Sequence, residues 1–233
     1  ITTRLVGSEM CIRDRSYTFR DVLLGLYLNG GISYRHSLHN TMNVRDVTDN
    51  ATSSSSIRRN SSGNTTTISL SANKNMSRWH TRFLMAANAI WMDRESMRSS
   101  TAVKVNNAIY IVSGKVETNQ FSDIIAANAT LAYSFQRQSF HDLIPPNSFN
   151  ELSVNGHLSV FPLSWLEIYG DVMFSKVKIA DNVYKSNMFA DAGVRLSFRK
   201  FEIDVMARNL TDMRDYSYSI YNSLDIICLL YTS

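Results

Sequence analysis

Long apolar runs and prolines are scarce in this sequence. The chain of 233 residues has 3 prolines, and the nearest approach to a long apolar run, Val22 to Leu28, is short and contains a glycine. A membrane-spanning helix needs roughly 18 or more consecutive apolar residues. A transmembrane helix is therefore excluded.

The sequence also lacks a dominant charge and the motifs of catalytic sites. Its formal net charge is only +4 and no basic run accompanies it, so nucleic acid is not an expected partner. There is no glycine-rich phosphate loop, no Gly-x-Ser-x-Gly turn and no cysteine or histidine arrangement typical of a nucleophile. We therefore predict that the protein is not an enzyme and has no catalytic residues, no cofactor-binding residues and no cofactor.

Histidine offers no metal site of recognisable spacing. None of the five histidines forms a spaced ligand pair with a carboxylate on a shared face. His36 and His39 lie at a predicted loop entrance where they could contact a metal, but a solvated loop explains them better. No metal site is predicted.

Both ends of the chain resemble translated sequencing adapter. Leu5 to Arg15, LVGSEMCIRDR, and Cys228 to Ser233, CLLYTS, can be encoded by opposite strands of one transposase-type adapter oligonucleotide. We therefore assign 1–15 and 228–233 as adapter-derived and treat 16–227 as an internal fragment of a longer protein. The only two cysteines, Cys11 and Cys228, fall in these end segments, so no disulfide is expected.

What the sequence has instead is strand-like alternation, clearest from Asn187 to Leu210. Every second residue from Met188 to Phe198 is apolar, and the alternation resumes at Phe201 after the charged pair Arg199 and Lys200. A period of two residues indicates a β-strand, because successive side chains point to opposite faces. The segment is therefore predicted to be a hairpin with one apolar face and one charged face.

About ten strands of this kind are predicted, and their connections alternate in length. The long connections include His39 to Asn64, Asp93 to Ser100 and Gln136 to Ser148, whereas the turn around Pro162 is short. The link from Gly114 to Gln120 is the exception, since it is longer than a short turn should be. Short turns on the periplasmic side and longer loops outside are typical of outer-membrane barrels.

The predicted fold class is all-β, with 16–227 forming part of an antiparallel transmembrane β-barrel of meander topology. Each arm of the hairpin runs about ten residues, the length that crosses a bilayer as a tilted strand. The 11 tyrosines, 11 phenylalanines and 3 tryptophans supply the aromatics that barrels place at membrane interfaces. Outer-membrane lipid is then the expected partner of the apolar face. A soluble secreted β-sandwich for binding or adhesion is the alternative that produces the same alternation.

The segment Phe201 to Tyr218, FEIDVMARNLTDMRDYSY, resembles the end of TonB-dependent outer-membrane receptors, especially those of Bacteroidetes-type bacteria. In that family a penultimate strand ends in an Asn-Leu pair, followed by a short polar turn and a tyrosine. The matching residues here are Asn209, Leu210, Asp212 and Tyr216 or Tyr218. The strand end Tyr34 to Asn40 and the Pro162 turn also look like the C-terminal half of such a barrel.

The resemblance implies a closed barrel of about 22 strands with a plugged lumen, of which this chain is a C-terminal portion. The plug domain and the segment that contacts TonB then lie in missing upstream parts, so this chain by itself is not expected to transport anything. The implied function is import of a bulky nutrient, such as a siderophore or a glycan, across the outer membrane of a Gram-negative bacterium. A passive porin-like barrel is the alternative.

Candidate contact segments follow from the same expectation. Substrate contacts are expected in the outer segments His39 to Asn64 and Gln136 to Ser148, and the ligand itself is unknown. Charged residues share the polar faces of the C-terminal strands: Glu167, Asp171, Asp191, Arg195, Glu202, Asp204 and Arg208. Two carboxylates on one face also occur in acid/base pairs, but a lattice of charges lining a lumen explains them better. Asn209 and Leu210 are interpreted as structural.

Overall fold

A computed structural model describes residues 9–39, 41–48, 51–98, 101–121, 124–140, 144–180, 183–213, 215–221 and 226–232. The strands are β1 Glu9–Asp21, β2 Leu26–His39, β3 Met42–Thr48, β4 Ala51–Ile57, β5 Ser61–Met76, β6 Thr81–Arg98, β7 Thr101–Phe121, β8 Ile125–Phe140, β9 Ile144–Leu163, β10 Leu166–Ala180, β11 Val183–Phe198, β12 Phe201–Ala207, β13 Asp215–Tyr221 and β14 Ile226–Thr232. A 3-10 turn, Ser77–Trp79, joins β5 to β6. Among these residues no helix is long and apolar enough to cross a membrane.

Ten strands form one antiparallel meander. Their order is β1-β2-β5-β6-β7-β8-β9-β10-β11-β12. β3 and β4 form a hairpin, and β3 runs parallel to the end of β6, with Val44 opposite Met97. β13 and β14 pair with each other as a separate two-stranded sheet. The predicted all-β meander of about ten strands is therefore confirmed.

The two short turns predicted near the C-terminal strands are both present. Phe198 lies opposite Phe201 across Arg199 and Lys200, and the ladder of β11 and β12 continues as far as Ala192 and Ala207. The turn predicted around Pro162 closes across 164–165, where Leu163 pairs with Leu166. In both hairpins the register keeps apolar residues opposite apolar residues, so the two strands share one apolar face.

Several segments predicted as connections are strands. Gly114 to Gln120 lies wholly inside β7, and Asp93 to Ser100 is part of β6 as far as Arg98. His39 to Asn64 contains the β3–β4 hairpin and the start of β5, and Gln136 to Ser148 is mostly the end of β8 and the start of β9, apart from 141–143 outside the described residues. These predictions were wrong because backbone pairing satisfies the hydrogen bonds of the main chain even where side chains do not alternate in polarity.

Parts of the adapter-like ends form strands. Strand formation does not test where these segments come from. Residues 9–15 belong to β1, at the edge of the sheet, where Arg13 pairs with Tyr34. Residues 228–232 belong to β14, and 1–8 and 233 lie outside the described residues. Edge pairing needs only main-chain groups, so the adapter origin of 1–15 and 228–233 stays a prediction.

The strands end differently at the two ends of the sheet. At one end the turns 22–25, 77–80, 164–165 and 199–200 close within a few residues; this is the short-turn end. At the opposite end, the long-hairpin end, β6 continues to Arg98, several residues past Trp91. The predicted asymmetry between the two sides of the barrel therefore takes the form of long paired hairpins rather than irregular loops.

One face of the sheet is a continuous apolar belt. Its rows of cross-strand neighbours include Met85, Gly114, Leu131, Val154, Phe174 and Met188. Met85 is 63%, Leu131 51% and Met188 45% exposed. A contiguous exposed apolar surface marks a site of contact with a membrane or with another protein. Since these side chains are exposed, no second sheet covers them, and the sandwich alternative has no support among the described residues.

Burial is concentrated on the opposite, polar face. Buried residues of that face include Ser96, Val105, Asn107, Gln138, Phe149, Ser159, Tyr169, Val177 and Asn187. On a curved sheet the side chains of the concave face converge and shield one another, whereas those of the convex face spread apart. The wall therefore curves toward its polar face, which is the sense expected for a barrel with a polar lumen and a lipid-facing exterior.

Aromatic side chains border the apolar belt at both ends. Toward the long-hairpin end, the Trp91 indole N–H donates to the Tyr110 hydroxyl at 3.1 Å. Toward the short-turn end, Trp165 stacks on Phe198 with ring centroids 5.9 Å apart. From Thr81 to Trp91 β6 advances about ten residues, which at ~3.4 Å per residue and a tilt of ~40° spans ~26 Å of bilayer. The belt has the height of a membrane core.

Candidate functional site

The densest polar network lies on the concave face at the short-turn end. Arg195 on β11 is flanked by Glu167 on β10 and by Glu202 and Asp204 on β12, because the ladder sets all four side chains on one face. Its guanidinium contacts the Glu167 carboxylate at 3.0 Å and the carboxylates of Glu202 and Asp204 at 3.1 Å each. One cation therefore links the three C-terminal strands of the sheet.

A chain of hydrogen bonds extends this network to β9. The Ser159 hydroxyl donates to Glu167 at 2.7 Å and lies 2.9 Å from Nε2 of His157. Nδ1 of His157 lies 2.7 Å from an Asp171 carboxylate oxygen. The polar network of Arg195, Glu167, Ser159, His157 and Asp171 thus runs without a break across β9, β10 and β11 on the lumenal side.

Tyr169 packs against the backbone of β11 at Gly193 and belongs to the same network. It lies directly opposite Gly193, and its hydroxyl passes over β11 to donate to Asp204 on β12 at 2.7 Å. A Cβ on Gly193 would lie 2.4–2.9 Å from atoms of the Tyr169 ring, so only glycine leaves room for this path. Arg195 completes the arrangement, with its guanidinium carbon 5.4 Å from the centre of the ring.

The network is rich in carboxylates relative to cations. Three carboxylates share the single guanidinium of Arg195, and the Asp171 carboxylate lies beside the imidazole of His157. The surplus of carboxylates gives this part of the concave face a negative potential. The carboxylates are engaged in hydrogen bonds along the wall, and the structure brings them together as the charge lattice that the sequence predicts.

Asn209 follows the end of β12 at Ala207, and its side chain closes the turn there. Its backbone is in the left-handed region, with φ 54°, which asparagine tolerates better than most residues. Its side-chain amide donates to the carbonyl of Met213 and accepts from the N–H of Met213, both at 3.0 Å. The Asn209 N–H donates to Asp191 at 2.7 Å, and the Leu210 N–H donates to the carbonyl of Ala190. The pair therefore has a structural role in closing the turn along the edge of β11.

The two histidines singled out in the sequence do not converge, whereas Arg208 lines one pocket with Asp171 and Asp191. His36 and His39 lie within β2, not in a loop, and their odd spacing places them on opposite faces. His36 Nδ1 lies 2.6 Å from the Asn64 side-chain oxygen. Nε of Arg208 lies 3.3 Å from the sulfur of Met206. Over the described part of the chain, no three histidine, cysteine or acidic side chains gather as a metal site.

Two features of the site could not be predicted from the sequence. The stacking of Tyr169 on Gly193 depends on the register between β10 and β11, and the sequence around 181–182 does not fix that register. The hydrogen bond from Ser159 to Glu167 depends on the register between β9 and β10, which shifts between Leu166 and Ile168. Once the register is known, a tyrosine directly opposite a glycine on the polar face predicts the stacking of Tyr169 on Gly193.

No protein-family model and no curated protein match the sequence, but solved structures match the fold. The FrpB iron transporter from Neisseria meningitidis superposes with a TM-score of 0.61 at 10% identity, over 91% of this chain and 37% of that one. The siderophore receptor PirA from Pseudomonas aeruginosa gives 0.53 at 9% identity, over 84% and 32%. The alcaligin outer-membrane receptor FauA from Bordetella pertussis gives 0.51 at 9% identity, over 83% and 34%.

These likenesses define the fold as the wall of an outer-membrane β-barrel. More narrowly, the fold is that of the barrel of TonB-dependent outer-membrane receptors, and the predicted resemblance is confirmed at the level of fold. The chain spans about a third of the length of each of these three structures. A complete barrel of this kind therefore has more strands than this chain supplies.

Proposed function

We propose that this chain is the C-terminal part of the barrel of a TonB-dependent receptor that imports a bulky nutrient across the outer membrane of a Gram-negative bacterium. The observation that carries the proposal is the ten-stranded meander with an apolar convex face and a charged concave face, superposable over 91% of its length on the FrpB iron transporter. An iron-siderophore complex is one suitable cargo, since PirA is a siderophore receptor and FauA an alcaligin receptor. A glycan is the other.

A plug domain is the proposed partner of the concave face. The Arg195 network leaves more carboxylates than cations at the short-turn end of the wall, and a basic surface of a plug would complement it. Met173 and Phe189 form part of a pocket of about 480 Å³ together with Asp171, Asp191 and Arg208. Apolar side chains on the lumenal face are costly if they face water, and a plug would shield them.

The long-hairpin end is the proposed entrance for the cargo. The segments expected to contact substrate, His39 to Asn64 and Gln136 to Ser148, both lie at this end, next to the β6–β7 hairpin. Met42 and Val44 of β3 and Val103 and Val105 of β7 are buried there. Packing of this kind would hold the hairpins in a defined arrangement around an entering ligand.

Uptake measurements in the host bacterium test the proposal. Cells that carry the complete gene are compared with cells that lack it, in growth on ferric siderophores and on glycans as limiting nutrients, each with TonB present or absent. We expect one nutrient class to support growth only when both the gene and TonB are present, because a plugged barrel needs an energy source to open. Uptake that survives loss of TonB would contradict the proposal and indicate a passive porin-like barrel.

A further inference from the structure

Four polar side chains form an unbroken chain of contacts between β9 and β10 on the concave face. Nδ1 of His157 lies 2.7 Å from an Asp171 carboxylate oxygen, and Nε2 of the same ring lies 2.9 Å from the Ser159 hydroxyl oxygen. The Ser159 hydroxyl donates to Glu167 at 2.7 Å. His157 and Ser159 belong to β9, whereas Asp171 and Glu167 belong to β10. These four residues are named the histidine clasp.

Both ends of the histidine clasp are carboxylates, which accept hydrogen bonds and donate none. Glu167 also accepts from Arg195 at 3.0 Å, so it takes the proton of the Ser159 hydroxyl and supplies none in return. Ser159 is only 2% exposed, so its hydroxyl depends on its protein partners rather than on water. Because its one proton goes to Glu167, the contact of Ser159 with the imidazole needs a proton on Nε2.

The three contacts of the histidine clasp need three protons. Ser159 supplies one, so His157 has to supply two, one on each ring nitrogen. A neutral imidazole has a single N–H, and with it one of the three contacts would bring two acceptors together. The histidine clasp is therefore complete only when His157 is a charged imidazolium.

The titratable and charged groups on the concave face around His157 are mostly acidic. On β8 the residue directly opposite His157 is Asn128, which carries no charge. The remaining groups are Glu117 and its ion-pair partner Lys115 on β7, Glu167, Tyr169 and Asp171 on β10, and Asp191 and Arg195 on β11. Among these described side chains, carboxylates outnumber cations.

We propose that the histidine clasp closes and opens with the protonation of His157. With a proton on each ring nitrogen, all three contacts between β9 and β10 are made. When the ring loses one of these protons, which histidine does between acidic and mildly alkaline pH, one contact opens. The same step removes one positive charge beside the pocket that Asp171 shares with Asp191 and Arg208. The inference concerns the wall itself and depends neither on the cargo nor on TonB.

Urea unfolding of the complete receptor in liposomes, at about pH 5.5 and at about pH 8, tests the inference. For the parent protein we expect an unfolding equilibrium constant roughly 5- to 10-fold larger at the higher pH, the effect of losing about one hydrogen bond. The D171N variant is expected to lose most of this pH dependence. A carboxamide at this position can donate to a neutral Nδ1, so one proton on the ring then satisfies all three contacts.

S159A and S153A complete the comparison. S159A is also expected to lose most of the pH dependence, because a neutral ring with its proton on Nδ1 satisfies Asp171 once the hydroxyl is absent. Ser153 lies on the same strand and face but opposite Ser175, so S153A is expected to keep the pH dependence of the parent protein. Full pH dependence in D171N or S159A would overturn the inference, and so would an equal loss in S153A. Uptake with and without TonB tests the proposed function separately.

Discussion

Addition of a single methyl group at Gly193 is expected to destabilise the barrel wall by about 1–3 kcal/mol, the usual cost of overpacking. The added carbon would lie 2.4 Å from Cζ of Tyr169 and 2.5 Å from its hydroxyl oxygen. The ring would have to swing away from Gly193, and its 2.7 Å hydrogen bond to Asp204 would break. Denaturant unfolding of the complete barrel in lipid, comparing the parent protein with G193A, measures the effect.

Gly114 offers the matched control for this substitution. It lies in the interior of β7, and a Cβ added there has no atom within 4 Å, so G114A is expected to leave stability almost unchanged. The double variant G193A/Y169A separates steric conflict from strand propensity, because the methyl group has no ring to meet once Tyr169 is shortened. If G193A costs as much in the Y169A background as in the parent protein, the proposed contact does not account for the effect.

Arginine at position 131 is expected to destabilise the inserted barrel by roughly 2–4 kcal/mol, the cost measured for lipid-facing cations near the bilayer midplane. Leu131 is 51% exposed in the middle of the apolar belt, between Gly114 and Val154 in the cross-strand row. A guanidinium there would lie among acyl chains without water or a counter-charge. Unfolding of L131R from liposomes, compared with the parent protein, gives the difference.

Asn128 provides the control on the opposite face. It belongs to the same strand and lies between Glu117 and His157 on the concave side, so N128R would place its cation in an aqueous lumen near a carboxylate. We expect N128R to insert and unfold much as the parent protein does. Equal destabilisation by the two arginines would argue that both faces of β8 are packed against protein.

The alternation of side chains in the sequence was sufficient to predict the apolar belt and the β11–β12 hairpin. Hydrocarbon on one side and water on the other impose a period of two, and a two-residue turn of Arg199 and Lys200 leaves one register for the arms. The same pattern predicts that Glu167, Arg195, Glu202 and Asp204 share a face, which the structure confirms. These predictions are possible because lipid and water together fix the polarity of the side chains on both faces of a strand.

Outside the apolar belt, lipid no longer imposes an alternation of polarity on the sequence. Asp93 to Arg98 and the β3–β4 hairpin pair through their backbones, and no period of two in the sequence marks them as strands. The stacking of Tyr169 on Gly193 also depends on a register that the sequence around 181–182 leaves open. The strand ends and the detailed contacts of the site are therefore set by pairing between distant parts of the chain rather than by local pattern.

The side of the wall that faces lipid can be measured directly on β8. Nitroxide labels are placed one at a time at positions 129 to 134 of the complete barrel in liposomes, after any other cysteine is replaced by serine. Their collision rates with oxygen and with a water-soluble nickel complex are recorded. We expect a period of two, with oxygen contact dominating at 129, 131 and 133 and the nickel complex dominating at 130, 132 and 134. Collision rates without alternation, or contact with the nickel complex at Leu131 and Tyr133, would contradict it.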